Sequence, residues 1–164
     1  MPYKPQTIKS TVEDALSAYS DFDDLTSEMG DWRDKMSGTN LENSDKYYRV
    51  EEAANALETI NSELESSVSD LIENLPDEIR DKSMEYIIWV PPSKKQSPSR
   101  SYRCDNACSA IRSGLDVIIL WIEETKKLKE IPEGIDLDEI EGYISDIESQ
   151  LDEADGVDFP GMFG

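Results

Sequence analysis

Cys104 and Cys108 are the two cysteines of the chain, and histidine is absent. They stand four residues apart at the start of a helical pattern, and no further thiol or imidazole is present to complete a zinc site. A disulfide across one helical turn would strain its usual geometry. Without histidine, neither thiol has the usual base that would make it a nucleophile. We therefore expect two ordinary reduced and partly buried cysteines.

The carboxylates do not match a known metal or phosphate motif either. In GIDLDEIEGY, Asp136 and Asp138 have the first spacing of a calcium loop, but Ile140 takes the third ligand position and Gly142 comes one place late. Neither GxGxxG nor GxxxxGK[ST] occurs. The Glu-x-x-His pattern of two-metal bundles cannot occur without histidine, so a magnesium-dependent carboxylate enzyme is the one catalytic alternative left. The sequence predicts no enzyme, with no catalytic residue, no cofactor and no metal.

Acidity is the strongest signal in the chain. With 37 acidic and 16 basic residues among 164, the net charge is −21. Ten acids fall between Glu133 and Asp155, roughly one per 3.4 Å of helix at the usual rise. One strand of DNA carries a phosphate every ~3.4 Å. The acids that should project from the last helix opposite its apolar stripe, and so face a partner, are Asp138, Glu139, Glu141, Asp146, Glu148, Asp152 and Glu153.

Two interpretations of this acidic surface are open. It is either a solvated face that keeps the protein in solution, or a surface that imitates nucleic acid and fills a basic groove. In both cases the acidic body should bind neither nucleic acid nor an anionic membrane, and the partner it suits is a basic protein surface, such as that of a nucleic-acid-binding protein.

Four of the 16 basic residues lie close together in the stretch EYIIWVPPSKKQSPSRSYR. Lys94, Lys95, Arg100 and Arg103 follow one another without an acid between them. We predict that they lie at or near the tip of a β-hairpin, as a second set of partner-binding residues. They either neutralise a nearby acidic face or form a second contact with an acidic rim or a nucleic-acid backbone.

Helical periodicity indicates the elements that carry these residues. A single domain spanning 1–164 is expected, because the chain is too short for two. Its predicted segments are a helix at 7–37, a helix at 44–75, a hairpin with a basic loop at 84–104, a helix at 106–129, a helix at 135–155 and a tail at 156–164. The fold class is mainly α: an elongated antiparallel bundle of about four helices with one small β-hairpin.

Within this plan, residues 84–90 form the strand-like run and residues 100–104 the predicted return strand. Asn61 falls on the apolar seam of the second helix, where it either fixes the register or oligomeric state or reaches water at the edge of the seam. The apolar tail, with Phe159, Pro160, Met162 and Phe163, either folds back on the core or docks into a neighbouring molecule.

In composition the chain resembles the acidic DNA-mimic proteins that bacteriophages use against restriction and CRISPR systems. The resemblance covers charge, size and helicity, and rests on no shared motif. It implies an inhibitor that occupies the nucleic-acid channel of a host protein. The alternative is an oligomeric structural or adaptor protein of a phage or virus particle, suggested by the two heptad helices and the tail. No apolar run is long enough to span a membrane and no signal peptide is expected, so we predict a cytoplasmic protein, in the host cell if it is phage-encoded.

Overall fold

The computed structural model describes residues 2–161, and helices make up 66% of it. The elements in chain order are β1 (Lys4–Thr11), α1 (Val12–Leu16), a 3₁₀ turn (Ser17–Tyr19), α2 (Ser20–Met36), α3 (Asp45–Asn74), α4 (Asp77–Arg80), β2 (Ser83–Val90), α5 (Arg100–Lys126) and α6 (Leu137–Asp155). The predicted mainly helical fold with one small antiparallel sheet is confirmed.

The long helices pack side by side in antiparallel pairs. The contacts that establish this are Asp23 with Asn61 and Arg33 with Asn55 between α2 and α3, Glu63 with Gln150 and Asp70 near Tyr143 between α3 and α6, and Arg112 with Asp152 and Lys126 with Glu141 between α5 and α6. At ~1.5 Å per residue, α3 is about 45 Å long, and it packs between α2 and α6. Because α6 lies against α3, two acid-rich helices run next to each other in opposite directions.

The core follows the predicted apolar stripes. The fully buried side chains include Leu57, Leu64 and Leu71 of α3 and Ile111 and Ile118 of α5. Of the glycines in the described residues, Gly114 of α5 lies closest to a neighbouring side chain. A Cβ there would stand only 3.1 Å from Leu16 Cδ2 of α1, so α1 can cross α5 only over a residue without a side chain.

The first element differs from the prediction. Residues 4–11 form strand β1, whereas a helix was predicted from residue 7, and the helical segment begins only at Val12. Thr11 caps α1 by accepting a hydrogen bond from the Asp14 N–H at 3.2 Å. Pro5 removes one helical donor, and the segment becomes extended because β2 supplies it with an antiparallel partner, in a register that sets Thr7 opposite Ile87.

The partner of β2 also differs. Residues 100–104, the predicted return strand, are instead the first turn of α5. Ser99 ends the loop as an N-cap residue that accepts from the Tyr102 N–H at 3.2 Å, and the buried stripe of α5 begins at Cys104. The sheet therefore joins the N-terminus of the chain to its middle, and it is not a local hairpin.

Asn61 and the tail both find partners within the same chain. Asn61 Nδ2 donates to Asp23 Oδ1 of α2 at 2.5 Å, so the seam asparagine joins α2 to α3. Phe159 packs on the core, Pro160 is buried, and Asp158 pairs with Arg49 at 3.0 Å. The tail folds back as far as the structure describes it; Met162 and Phe163 lie outside the described residues.

Candidate protein-binding surface

The predicted acids of α6 all lie outside the core. Ile140, Ile144, Ile147 and Leu151 form the buried stripe of this helix. Among the seven acids Asp138, Glu139, Glu141, Asp146, Glu148, Asp152 and Glu153, only Glu141 is partly buried, and the other six are exposed. The helix begins with Asp136 as its N-cap, which accepts from the Glu139 N–H at 3.1 Å. The geometry therefore makes these carboxylates available to a partner.

The acids on the α5 side of α6 are partly neutralised within the chain. Lys126 forms an ion pair with Glu141, and Arg112 contacts Asp152 at 3.2 Å and Asp155 at 2.6 Å. The hydrogen bond to Asp155 is the main cause that raises the pKa of the Arg112 guanidinium. Because these carboxylates are already paired with cations of the same chain, this side of α6 presents less net negative charge to a partner than the opposite side.

The acids on the α3 side of α6 face other acids. Glu63 of α3 and Asp146 of α6 line one hollow between the two helices, together with Ser66, Ser67 and Ser149. Towards the end of α6, Glu52 and Glu153 line a second hollow. Towards its start, Glu139 stands near Asp70 and Glu73 across Tyr143. We call this surface the acidic groove; its residues are Glu52, Glu63, Asp70, Glu73, Glu139, Asp146 and Glu153.

Tyr143 reports the potential inside the acidic groove. Its hydroxyl donates to Glu139 Oε1 at 2.7 Å. This hydrogen bond is the largest cause that raises the pKa of Tyr143 to about 12, followed by desolvation and by the charges of Glu139, Asp70 and Glu73. Carboxylates of both α3 and α6 therefore raise the pKa of the same phenol, so the two rows contribute to one local electrostatic potential.

Cations are scarce along the acidic groove. The sequence of α3 has no Lys or Arg after Arg49, and α6 has none at all. Arg49 lies at the end near Glu153, where it is paired with Asp158. Among the described residues, no ion pair joins Asp138, Asp146, Glu148 or Glu153 to a cation. The groove thus holds two rows of carboxylates whose charge the chain itself leaves unbalanced.

The contribution of α3 was missed by the site prediction, whose acidic residues all came from α6. The sequence does contain a signal, because nine acids and no base occur from Glu51 to Glu78. The sequence does not show, however, on which side of α3 these acids lie. Which of these acids face α6 depends on the packing of the two helices; Glu63 does so through its contact with Gln150 and its place on the hollow shared with Asp146.

The four basic residues are not gathered at a hairpin tip. Arg100 and Arg103 lie on the first turn of α5, and both contact Glu28 of α2, at 3.3 and 2.5 Å. Arg100 also lies over the Trp32 ring, 5.3 Å from its centroid. Lys94 and Lys95 are exposed in the loop before α5, and no ion pair ties them to another described residue. Arg100 and Arg103 therefore pair with an acid of their own chain, as the first of the two interpretations of these cations expects.

The cysteines are buried free thiols. Cys104 Sγ donates to the Ala154 carbonyl oxygen at 3.7 Å. A hydrogen bond with the Cys108 side chain and burial raise the pKa of Cys104 far above the ordinary thiol value, so it is held as the unreactive thiol. They are more deeply buried than predicted. In the range 2–161, no group of three or more acids or cysteines is arranged to hold a metal ion.

Comparison with protein-family models, with curated proteins and with solved structures finds no match to this chain. Of the helices between residues 2 and 161, none combines the length and the apolar composition required to cross a membrane.

Proposed function

We propose that this protein binds a basic groove on a nucleic-acid-binding protein and blocks it by imitating nucleic acid. The observation that supports this proposal is the alignment of two cation-poor rows of carboxylates along the acidic groove. The row on α6 runs from Glu139 to Glu153, about 21 Å at the rise of an α-helix. That length corresponds to roughly six phosphates of one DNA strand.

The mechanism is electrostatic and steric. A groove of lysines and arginines that normally binds phosphates gains the same Coulomb attraction from carboxylates placed on a rigid pair of helices. The helices are held by the buried stripes of α3 and α6, so little backbone ordering opposes binding. The occupied groove is then closed to nucleic acid.

The structural or adaptor alternative is weaker with the structure in hand. It relied on Asn61 as a device for setting the oligomeric state and on an apolar tail free to dock elsewhere. Asn61 contacts Asp23 of the same chain, Phe159 packs against the chain's own core, and Pro160 is buried. We therefore develop only the mimic proposal.

The test is a charge reversal in the acidic groove with a matched control on the same bundle. Glu63→Lys with Asp146→Lys changes the charge by +4 in the middle of the groove. Glu58→Lys with Glu65→Lys makes the same change at exposed acids of α3 that do not line the hollows of the groove. All substituted side chains are outside the core, so we expect both variants to fold.

The tagged protein and both variants are used to capture proteins from a bacterial lysate, and bound proteins are identified by mass spectrometry. We expect a nucleic-acid-binding protein to be retained by the wild type and the Glu58/Glu65 variant, lost with the Glu63/Asp146 variant, and displaced by duplex DNA. Retention should also weaken steeply as the salt concentration rises. Equal capture by both variants, or capture that duplex DNA does not reduce, would mean that the acidic surface serves hydration alone.

A further inference from the structure

The two-stranded sheet has one closed edge and one open edge. The edge of β2 away from β1 is closed by side chains of α5. Asn106 Oδ1 accepts from the Trp89 N–H and Asn106 Nδ2 donates to the Trp89 carbonyl oxygen, both at 2.8 Å. Ser109 Oγ donates to the Ile87 carbonyl oxygen, also at 2.8 Å. The Asn106 amide thus pairs with Trp89 much as a backbone peptide of a neighbouring strand would.

This closure determines which backbone groups of β1 point outward. In an antiparallel pair, residues opposite each other exchange either both hydrogen bonds or none. Since Trp89 directs its N–H and C=O to Asn106, it exchanges none with Pro5, its partner across the sheet. By alternation along the strand, the N–H and C=O groups of Thr7 and Lys9 also point to the outer edge of β1. Pro5 sits where its missing N–H costs no bond of the ladder.

No strand pairs with this outer edge in the described part of the chain, and Lys4 to Thr7 are exposed. One strand in from this edge, on β2, Ile87 is 50% exposed and Trp89 is 44% exposed, on the face they share with Pro5 and Thr7 of β1. Exposed Ile and Trp side by side on a strand are unusual for a surface that contacts only water.

The charge of the sheet is opposite to that of the rest of the molecule. The two strands, their flanking residues and the loop to α5, at 2–11 and 82–99, carry five lysines, at positions 4, 9, 82, 94 and 95, against the single acid Glu85. Within about one Debye length, ~8 Å at physiological salt, an approaching ligand therefore meets these lysines, with Glu85 and the neighbouring Asp14 as the acids beside them. Since screening weakens the charge of the rest of the chain beyond that distance, this concentration of lysines favours an acidic ligand.

We propose that the open edge of β1 binds an extended acidic peptide segment of a partner protein by strand addition. The Thr7 and Lys9 backbone groups would pair with the segment, whose apolar side chains at alternate positions would lie beside Pro5 and Thr7 on the face that Ile87 and Trp89 extend, and the lysines would attract its carboxylates. A second copy of the sheet is disfavoured as the occupant because it would bring the same lysines together. Nucleic acid could use the lysines and Trp89, but it has no peptide groups to complete the ladder.

The probe is a random octapeptide library displayed against the full-length protein. We expect the selected peptides to be rich in Asp and Glu, with β-branched or aromatic residues at every second position. Thr7→Pro removes an outward N–H without removing a bond to β2 and should weaken the binding of a selected peptide at least tenfold. Lys94→Glu with Lys95→Glu should weaken it to a similar extent, whereas Lys127→Glu with Lys129→Glu, the same charge change beyond the C-terminus of α5, should have less than a twofold effect.

The outcomes separate this proposal from its competitors and from the proposed function. Selected peptides without acidic enrichment, or equal binding by all three variants, would overturn it. Tighter binding of a dT oligonucleotide than of the best peptide would assign the surface to nucleic acid, and a concentration-dependent dimer that is lost in Thr7→Pro would assign it to a second copy. None of these variants alters the acidic groove, so failure here leaves the proposed mimicry untouched.

Discussion

Arg103 and Glu28 join α5 to α2 through a two-pronged ion pair. Arg103 Nη1 donates to Glu28 Oε1 at 2.9 Å and Arg103 Nη2 donates to Oε2 at 2.5 Å. The hydrogen bond from Arg103 is the largest of the effects that lower the pKa of Glu28 below its ordinary value of 4.5. The positive charge at the start of α5 therefore has a structural use: it fixes the helix against an acidic neighbour.

Replacing Arg103 with serine should cost about 1 kcal/mol of unfolding free energy at neutral pH, as expected for a paired but partly exposed guanidinium. Because the pKa of Glu28 is lower in the folded than in the unfolded state, its ionisation stabilises the fold at pH values above 4.5. This stabilisation is lost as the pH falls from 4.5 through the folded-state pKa. The difference between wild type and Arg103→Ser should therefore shrink when pH drops from 7 to 3, measured by urea denaturation. Lys94→Ser with Lys95→Ser is the control and should stay within about half a kcal/mol at both pH values.

Gly114 and Gly142 should respond to alanine with opposite signs. At Gly114 the new Cβ would lie 3.1 and 3.3 Å from Leu16 Cδ2 and Cγ, and Leu16 is fully buried. Overpacking should outweigh the gain in helix propensity, so Gly114→Ala should destabilise by about 1–2 kcal/mol. Gly142 has no atom within 4 Å of the same position, and Gly142→Ala should stabilise by about 0.5–1 kcal/mol. Thermal unfolding of both variants checks the pair; a stabilised Gly114→Ala would mean that α1 can move away from α5.

Asn61 should be replaceable by leucine without loss of stability. Its Nδ2 contacts Asp23, but its Oδ1 is buried and has no hydrogen-bond partner. Removing an unsatisfied acceptor should leave the unfolding free energy unchanged or raise it by up to about 1 kcal/mol. Because the partner of Asn61 lies in the same chain, we expect the sedimentation coefficient of Asn61→Leu to match that of wild type. A change in oligomeric state would instead restore the seam asparagine as a device for assembly.

The elements that were predicted well are those encoded locally. The stripe of Leu57, Leu64 and Leu71 repeats at helical spacing, so α3 can be read from its own residues. Strand β1 cannot, because Ile8 is its only large apolar residue and its extended form depends on a partner that is distant in sequence. The acidic groove could not be predicted from the sequence for the same reason. Glu63 and Asp146 are both exposed acids in the sequence pattern, and only helix packing puts them on one hollow.

Tyr143 provides a spectroscopic measure of the acidic groove. Its pKa is raised to about 12 from an ordinary value of 10, first by the hydrogen bond to Glu139. The raised pKa of a phenol stabilises the fold fully below pH 10, and this contribution is lost as pH rises from 10 through 12. We expect the phenolate absorbance of wild type minus Tyr143→Phe to show a single titration near pH 12. The titration should move towards pH 10 in Glu139→Gln, and less far in Asp70→Asn with Glu73→Gln, since those charges act after the hydrogen bond and desolvation.

Salt and cations should shift this titration in a way that isolates the field of the groove. Raising the ionic strength screens the charges of Asp70 and Glu73, so the pKa of Tyr143 should fall with added salt even though the hydrogen bond to Glu139 persists. Short polyarginine, whose guanidinium groups stay protonated at the pH of this titration, should lower it further when bound in the acidic groove, and the effect should disappear in Glu63→Lys with Asp146→Lys. The control Glu58→Lys with Glu65→Lys should keep the polyarginine effect. A Tyr143 pKa that responds to neither salt nor polyarginine would show that the two acidic rows do not act on a common ligand site, and the mimic proposal would lose its electrostatic basis.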